Sequence, residues 1–591
     1  MSSGDFYHTL VPEHQCSIVS SSPDPLAAAR DSDLSWGPMT ASRAVLLLAA
    51  VLAAWNVWGY DLWAPDEPYF GEGAREMVAD GHWAVPHVNG VVTTDKPPLF
   101  FWLIALFSLP YHRVSSFTAR LPSILAYLGS VALTVRLGRR WWGESAGALA
   151  GLILATTYLP WDKGRTAQID ALLCFLVLAA LTAFETHRSG DAPGRAMGLA
   201  FWLCAGLSVL AKGPVGLCLL VGVALLALAF DGNLRAWKGF APFSGPALFA
   251  GVVVAWMAVA MLAGGSDYSV WAAVKRHVLE RAVYGLHHKQ PPWYYAEVLP
   301  VGLLPWSLLV PGAVWSALRN RRQPSERLLL IWAAFVVAFF SVWTEKRDLY
   351  VLPAYPAFAL MVARVVDRAA SKAAASAPDG APAPRPRWVL IPVRLTGGLF
   401  VLTGLALPFL VRRYEPALLV PSLIVSGVLA LGGMLILAAS AGRPLRAAAA
   451  TAGVVSAFYL ITVSVLYPAL NPLKSVGSLA VRMKEVTNSY RAEGNRVLAY
   501  GLDNITRQLS FYSDGVYVRE IFNRSELAAA LSGEKQVFAV ARAEQIGKLP
   551  PEVSSRIHVI TSAPLAGGEV LLVSNRALPN ASGGAAASVS H

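Results

Sequence analysis

Thirteen apolar runs, each long enough or nearly long enough to cross a bilayer, leave this chain little choice of fold. They lie at roughly 43–60, 117–138, 144–160, 170–186, 196–211, 214–230, 239–262, 297–318, 328–344, 348–366, 389–411, 417–440 and 447–468. A hydrocarbon core of ~30 Å takes about 20 apolar residues as a helix, and only a helix or a closed barrel satisfies its own backbone there. With 55% hydrophobic and 15% charged residues, the chain lies far from the soluble average. The expected fold class is a polytopic α-helical membrane protein with about 13 transmembrane helices.

Charge orients the runs. Arg43, then Arg136/Arg139/Arg140, His187/Arg188/Arg195, Arg235/Lys238, Arg319/Arg321/Arg322/Arg327, Arg368/Lys372/Arg385/Arg387 and Arg443/Arg446 alternate onto one side, which the positive-inside rule makes the cytoplasm. The net charge of +12 therefore reports topology, and no nucleic-acid partner is expected. The parity requires the run 98–110, too short to cross, to stay on the surface where it began. Loop 61–116, loop 161–169, the stretch around Lys212, loop 263–296, the hinge 345–349 and everything after 469 then face outward. The four cysteines have neither disulfide nor metal spacing.

Composition divides the chain further. Residues 1–41 are rich in Ser, Pro and Asp and read as a disordered N-terminal tail. An internal start at Met39 is a hypothesis that N-terminal sequencing would reject on finding Met1 or Ser2. Residues 42–366 form the transmembrane core, 367–388 an Ala/Pro-rich cytoplasmic linker, and 389–469 a three-helix transmembrane tail. Short strand-like segments, VLAYGL, GVYVREIF, KQVFAVAR and RIHVITSA, with helical stretches at 476–492 and 525–532, make 470–577 a small extracytoplasmic α/β domain. Residues 578–591 are a second disordered tail.

Chemistry concentrates in residues 61–98, which carry seven carboxylates against two cations in a basic protein. Asp66 and Pro68 make a helix start with Asp66 as N-cap; Phe70, Ala74, Met77 and Val78 recur at helical spacing, and Gly81 ends the helix. Such a helix suits the bilayer interface. Asp66 is either an N-cap alone or, with Glu67 beside it, a general base for an acceptor hydroxyl. Lys96, before two prolines that fix its approach, either snorkels to the headgroups or binds a lipid phosphate.

Lys212 interrupts an apolar stretch at an outer corner marked by Gly213 and Pro214, and reads as a turn lysine or a cavity cation. Arg165 and Asp170 sit at the outer mouth of a span, where Asp170 also suits the helix dipole. Lys346, Arg347 and Tyr350 form an outer hinge that either anchors the chain or binds phosphate, with Tyr350 in a cavity. In loop 263–296, His277, His287 and His288 lie near Trp293, Tyr294 and Tyr295. The histidines lack the spacing of a known metal site, and the aromatics suit a belt or a sugar-stacking surface.

Five segments, DEPYFGEGAREMVADGHWAVPHVNG, DKPPLFFW, AKGP, the run from HHKQPPWYY to LPW, and KRDLYVLPAYPAFAL, resemble the membrane glycosyltransferases of the GT-C type. The resemblance is to the branch containing the bacterial 4-amino-4-deoxy-L-arabinose lipid A transferase and, more distantly, the protein O-mannosyltransferases. It covers most of residues 43–366 and, more weakly, the three-helix tail and the outer domain. It implies Asp66 as the catalytic carboxylate with Glu67 as its neighbour, Asp170 as a second outer-loop carboxylate, Lys96 on a donor or acceptor phosphate, Lys212 as a cavity lysine, and Tyr350 as a cavity tyrosine on the lipid phosphate. Pro68, Tyr69 and Asp95 depart from the pattern and leave sugar and acceptor open.

The reading is an inverting glycosyltransferase of a bacterial inner membrane, with its active site and C-terminal domain on the periplasmic side. It takes a polyprenyl-phosphate sugar, such as 4-amino-4-deoxy-L-arabinose or a hexose like mannose, to an envelope acceptor such as lipid A. The expected catalytic residues are Asp66, Glu67 and Asp170; the expected donor-phosphate or substrate ligands are Lys96, Lys212, Arg165, Lys346, Arg347, Tyr350, His288 and Tyr294. A divalent cation is left open and no other cofactor is expected. The alternative is a transporter or flippase of a lipid-linked sugar.

Overall fold

The computed structural model describes residues 40–190, 194–264, 289–375, 386–440, 443–488, 490, 493, 495–502 and 505–578. Each apolar run of the sequence has a helical counterpart. Among the described residues nine helices are long and apolar enough to cross a membrane, and a tenth candidate is the pair Tyr294–Gly302 and Ser307–Arg319, bent by 117°. Three counterparts are shorter: Thr40–Ala54, Glu144–Thr156 and Val215–Phe230, of 15, 13 and 16 residues. The chain is a multi-pass α-helical membrane protein. Burial ranks the helices: the most apolar windows of Ile169–Arg188 and Asp348–Ala374 are each 89% buried, against 6% for Ser244–Gly264. The first two, which carry Asp170 and Tyr350, therefore form the centre, and the last faces lipid.

Apolar side chains gain little by leaving lipid for one another, so close backbone approach has to hold such helices together. Glycine permits it. A Cβ on Gly138 of Ser116–Trp142 would stand 2.8 Å from Gly147 Cα on the next helix, and one on Gly433 would stand 2.5 Å from Gly397 O.

The Leu99–Ser108 helix has 10 residues and is too short to cross. Ahead of it runs the Asp66–Asp80 helix, ended by Gly81 at φ 78°. Its N-cap is Pro65, so Asp66 is the first helical residue and not the cap expected from the sequence. Both of its faces pack on protein. Phe70 and Met77 pack with Phe100, Phe101 and Ile104, while the opposite face, with Glu72 and Glu76 fully buried, is covered by the C-terminal unit. Residues 367–375, expected to begin the linker, continue the Tyr355–Ala375 helix, as their Ala, Lys and Arg content favours.

The C-terminal unit is built on a five-stranded sheet of order β4-β3-β5-β7-β6, with β3 Val497–Tyr500, β4 Val518–Ile521, β5 Phe538–Arg542, β6 His558–Leu565 and β7 Gly568–Ser574. β3 pairs in parallel with β4 and β5, and β7 antiparallel with β5 and β6. Alternation gives the sheet two apolar faces: Val497, Ala499, Val540 and Leu572 meet Leu479 and Met483 on one, and Ile521, Ala541 and Val573 meet Leu527 and Leu531 on the other. The strand segments read from sequence correspond to β3 to β6; β7 and the Thr506–Tyr512 helix were not singled out. A small antiparallel hairpin in the outer loop, β1 His87–Val88 and β2 Val91–Val92, docks against this unit.

Candidate functional site

Three separate parts of the chain bring charge to one place. The first turn of the Asp66–Asp80 helix supplies Asp66, the start of the buried Ile169–Arg188 helix supplies Asp170, and the hinge before Asp348 supplies Arg347. Arg347 Nη2 donates to Asp66 Oδ2 at 2.5 Å and Nη1 to Oδ1 at 3.3 Å, a fork on a carboxylate. Gln168 Nε2 adds a bond to Asp66 Oδ2 at 3.2 Å. Burial pushes the Asp66 carboxyl upward, but Arg347, Gln168 and Lys96 hold it below the usual carboxylate range. Asp66 is therefore ionised at neutral pH, with its charge already engaged.

Asp170 makes a second pair. Its Oδ1 accepts from Lys212 Nζ, at the end of the Gly194–Lys212 helix, and that ammonium stands 4.3 Å from the centre of the Tyr350 ring, within cation–π range. Lys96 and Arg347 lie within electrostatic range of Lys212, and Asp170 within range of Arg347. Lys96 is bonded to Asp95 at 2.9 Å. The structure thus gathers Asp66, Lys96, Asp170, Lys212, Arg347 and Tyr350, named from the sequence, into one site. It holds three cations and three carboxylates, counting Asp95.

Glu67 has a different setting. Its Oε1 accepts from Arg120 Nε at 2.7 Å and Ala167 N at 2.9 Å; its Oε2 accepts from Arg120 Nη2 and Trp63 N, both at 2.9 Å. Arg120, fully buried, also donates to the carbonyls of Val57, Tyr60 and Asp61 and stacks 3.8 Å over the Tyr60 ring. All four carboxylate lone pairs are occupied, so Glu67 ties loop to helix and has none to offer a substrate proton. Arg165, expected near phosphate, donates to Leu52 O and Trp55 O, both at 2.9 Å, inside a fully buried position. Lys346 is likewise turned inward, onto Gln290 O at 2.8 Å and Trp343 O. These two cations anchor backbone: one holds the end of the first helix, the other shapes the hinge that presents Arg347. Tyr294 is half-buried, and its neighbour Tyr295 donates to Arg347 O at 3.2 Å. His288, with His277 and His287, lies outside the described residues.

Two contributors escaped the sequence reading. Arg120 stands early in an otherwise apolar run, and a cation there needs a partner; that was a usable signal. Gln168 carried none. Among the described residues no group of three or more His, Cys, Asp or Glu side chains is placed to hold a metal ion.

Comparison with known proteins gives the setting. Residues 95–283 match the family model described as dolichyl-phosphate-mannose-protein mannosyltransferase. The undecaprenyl phosphate-alpha-4-amino-4-deoxy-L-arabinose arabinosyl transferase of Edwardsiella ictaluri is 31% identical over 313 residues, 52% of this chain and 56% of that protein. The protein of the same description from Pseudomonas aeruginosa is 31% identical over 310 residues, 51% and 55% of the two chains. The chain spans about half the length of the curated relatives it matches. In structure it superposes on ArnT from Cupriavidus metallidurans bound to undecaprenyl phosphate with TM-score 0.74 and 18% identity, covering 92% of this chain and 99% of that one; the apo form gives 0.73. The chain therefore has the GT-C fold of ArnT and resembles, over about half its sequence, the undecaprenyl phosphate-alpha-4-amino-4-deoxy-L-arabinose arabinosyl transferases.

Proposed function

We propose that this protein is an inverting glycosyltransferase of the bacterial inner membrane, working at its periplasmic face. It moves a sugar, 4-amino-4-deoxy-L-arabinose or a hexose, from a polyprenyl-phosphate donor to an envelope acceptor such as lipid A. One observation carries the reading: the Asp66–Arg347, Asp170–Lys212 and Asp95–Lys96 pairs form an electrically balanced site where the helices that carry Asp170 and Lys212 begin and end. The similarity to arabinosyl transferases supports the donor class.

The balance has a chemical consequence. An arriving phosphate finds every cation already paired, so Arg347 and Lys212 must exchange a carboxylate for a phosphate oxygen. That exchange frees Asp66, whose affinity for a proton rises once Arg347 turns away. An acceptor hydroxyl then gives its proton to Asp66 as its oxygen bonds to the anomeric carbon. The bond from that carbon to the phosphate oxygen breaks, the electron pair stays on the polyprenyl phosphate beside Arg347, Lys212 and Lys96, and configuration inverts. A phosphate acceptor is already ionised and uses Asp66 only for orientation. Catalysis rests on positioning and fixed charge. Glu67 and Arg120 hold the loop that carries Asp66 and act as positioning residues.

The test is mass spectrometry of lipid A, envelope glycolipids and polyprenyl-phosphate sugars from cells with the wild type, a deletion or Asp66→Asn. Loss of one glycan in both mutants, with its lipid-linked donor accumulating, is the expected result. Wild-type glycan in Asp66→Asn cells, with loss only in the deletion, moves the transporter reading ahead.

A further inference from the structure

A cavity of about 370 Å³ lies between the β1–β2 hairpin and the C-terminal unit, and three of its lining residues are arginines: Arg496, Arg507 and Arg519. Glu520 is a carboxylate in the same wall; it accepts from Thr506 Oγ1 at 2.6 Å. Arg519 reaches Glu526 at 2.7 Å with both side chains well exposed, a pair that is easily exchanged. Arg507 lies 4.8 Å over the Tyr69 ring and Arg496 5.8 Å over Tyr517, so both guanidiniums stand within cation–π range of an aromatic face.

The cavity is framed by built contacts. Asn89 at the hairpin tip donates to Val518 O at 2.6 Å and accepts from Val518 N at 2.8 Å, which fixes the hairpin to β4. The cavity also leads to the candidate site: Tyr69, under Arg507, is bonded to Thr93 at 2.8 Å, and Thr93 Oγ1 accepts from the backbone N–H of Asp95, the partner of Lys96.

We propose that this cavity binds the phosphorylated sugar headgroup of the acceptor, and so selects acceptors with a phosphomonoester near the receiving group. The inference rests on the transferase reading above and deepens it. The size suits a small ligand, and forked guanidiniums with surplus positive charge suit a phosphate. The cavity sits on the C-terminal unit and not among the lipid-facing helices, so it takes a polar head and not a polyprenyl tail. Its lining includes Thr93, two residues before Asp95.

The experiment uses the full chain in phosphatidylcholine nanodiscs, as wild type, R496Q/R507Q and Arg507→Lys. Glucosamine 1-phosphate and inorganic phosphate are titrated by calorimetry. The sugar phosphate is expected to bind more tightly than inorganic phosphate, at least tenfold more weakly to the double variant, and with intermediate affinity to Arg507→Lys. No binding, binding unchanged by the substitutions, or equal affinity for inorganic phosphate overturns the proposal. In transfer assays the double variant is expected to raise KM for lipid A at least tenfold and leave KM for the polyprenyl donor unchanged, with lipid A stripped of phosphate showing no such difference. An unchanged KM for lipid A also overturns it. Wild type that transfers nothing to lipid A counts against the acceptor named above, while the titrations still decide the cavity. Melting curves within a few degrees of wild type show that the variants fold.

Discussion

Replacing Glu67 with Gln distinguishes a carboxylate that positions the site from one that takes a proton. The side chain is 6% exposed and receives four hydrogen bonds, two on each oxygen. Whichever oxygen becomes an amide nitrogen, two donors then face a third donor, and Arg120 loses its counter-charge in a fully buried position. Breaking a buried ion pair costs ~3–5 kcal/mol. The three carbonyls and the Tyr60 ring that still hold the guanidinium place this substitution at the lower end, about 3 kcal/mol. The expected result is a thermal midpoint several degrees lower in detergent micelles, with the protein that remains folded transferring sugar within about tenfold of wild type. A general base would behave otherwise, losing ~10²–10⁴ in rate with little change in melting. E67L/R120M should recover part of the stability lost by either single change, because apolar replacement of a whole buried pair is often tolerated. An unchanged melting curve with a rate loss above ~10² would refute the positioning role.

Arg347→Gln removes the main contact that holds Asp66 below the ordinary carboxylate range, so the Asp66 pKa rises and the acid limb of the pH–kcat/KM profile should move to higher pH; a limb that stays in place counts against Asp66 as the titrating group. Glu76 is pushed up to about 8 by burial and by Glu72, so the folded protein binds a proton that the unfolded chain gives up near pH 4.5. Stability should therefore fall as pH rises through that window and level off above about 8, by at most ~1.4 kcal/mol per pH unit, and Glu76→Gln should flatten the slope in melting curves taken from pH 5 to 9. For Asp170 and Lys212, Asp170→Asn with Lys212→Met should be less unstable than the sum of the single changes, as expected for a directly bonded pair, while the proposed phosphate-binding role of Lys212 predicts that transfer stays lost. Ser510→Ala removes a 2.6 Å bond to the buried Glu72 carboxylate and should cost ~1.5–3 kcal/mol, seen as easier proteolytic release of the C-terminal unit.

The apolar runs were readable because a span has one solution for its backbone, but run length did not show the 117° bend within 297–318 or the end of the 144–160 helix at Thr156. The site was readable where a charge stood at an edge that nothing local explained: Lys212 at its Gly-Pro corner, Asp170 at a helix start, Arg347 before two prolines. Partners were not readable. Glu67 next to Asp66 looks equivalent in one dimension, yet successive helical residues point about 100° apart. Asp66 faces Arg347 and Glu67 faces Arg120 on a different helix. Arg165 and Lys346 are cations at outer loops like Lys96, and only the folded backbone shows that carbonyls of Leu52, Trp55, Gln290 and Trp343 claim them. β7 was missed because GEVLLVS, buried along five of its residues, lacks the alternation that marks a half-exposed strand.

The acidity of residues 61–98 needed a reason in a basic protein, and most of it turns out to be structural. Asp61 accepts from Asn471 and Ser475, Glu67 from Arg120, Glu72 from Arg75 and Ser510, and Asp80 from Tyr517. Glu76, held well above the usual range, accepts from Gly90 N. Five of the seven carboxylates thus fasten the loop, three of them to residues at or beyond position 471. Gln508 and Tyr512 add bonds to the backbone of Leu62, four residues before Asp66. The C-terminal unit is therefore no appendage: it covers the helix whose first residue is Asp66, and it fixes the strand pair that leads to Lys96. Asp66 and Asp95 are the carboxylates of the loop left facing the site's cations, and they pair with Arg347 and Lys96. Removing the unit should disorder the loop and cost transfer even with every core helix intact, and that sets this architecture apart from a membrane catalyst carrying a separate binding module.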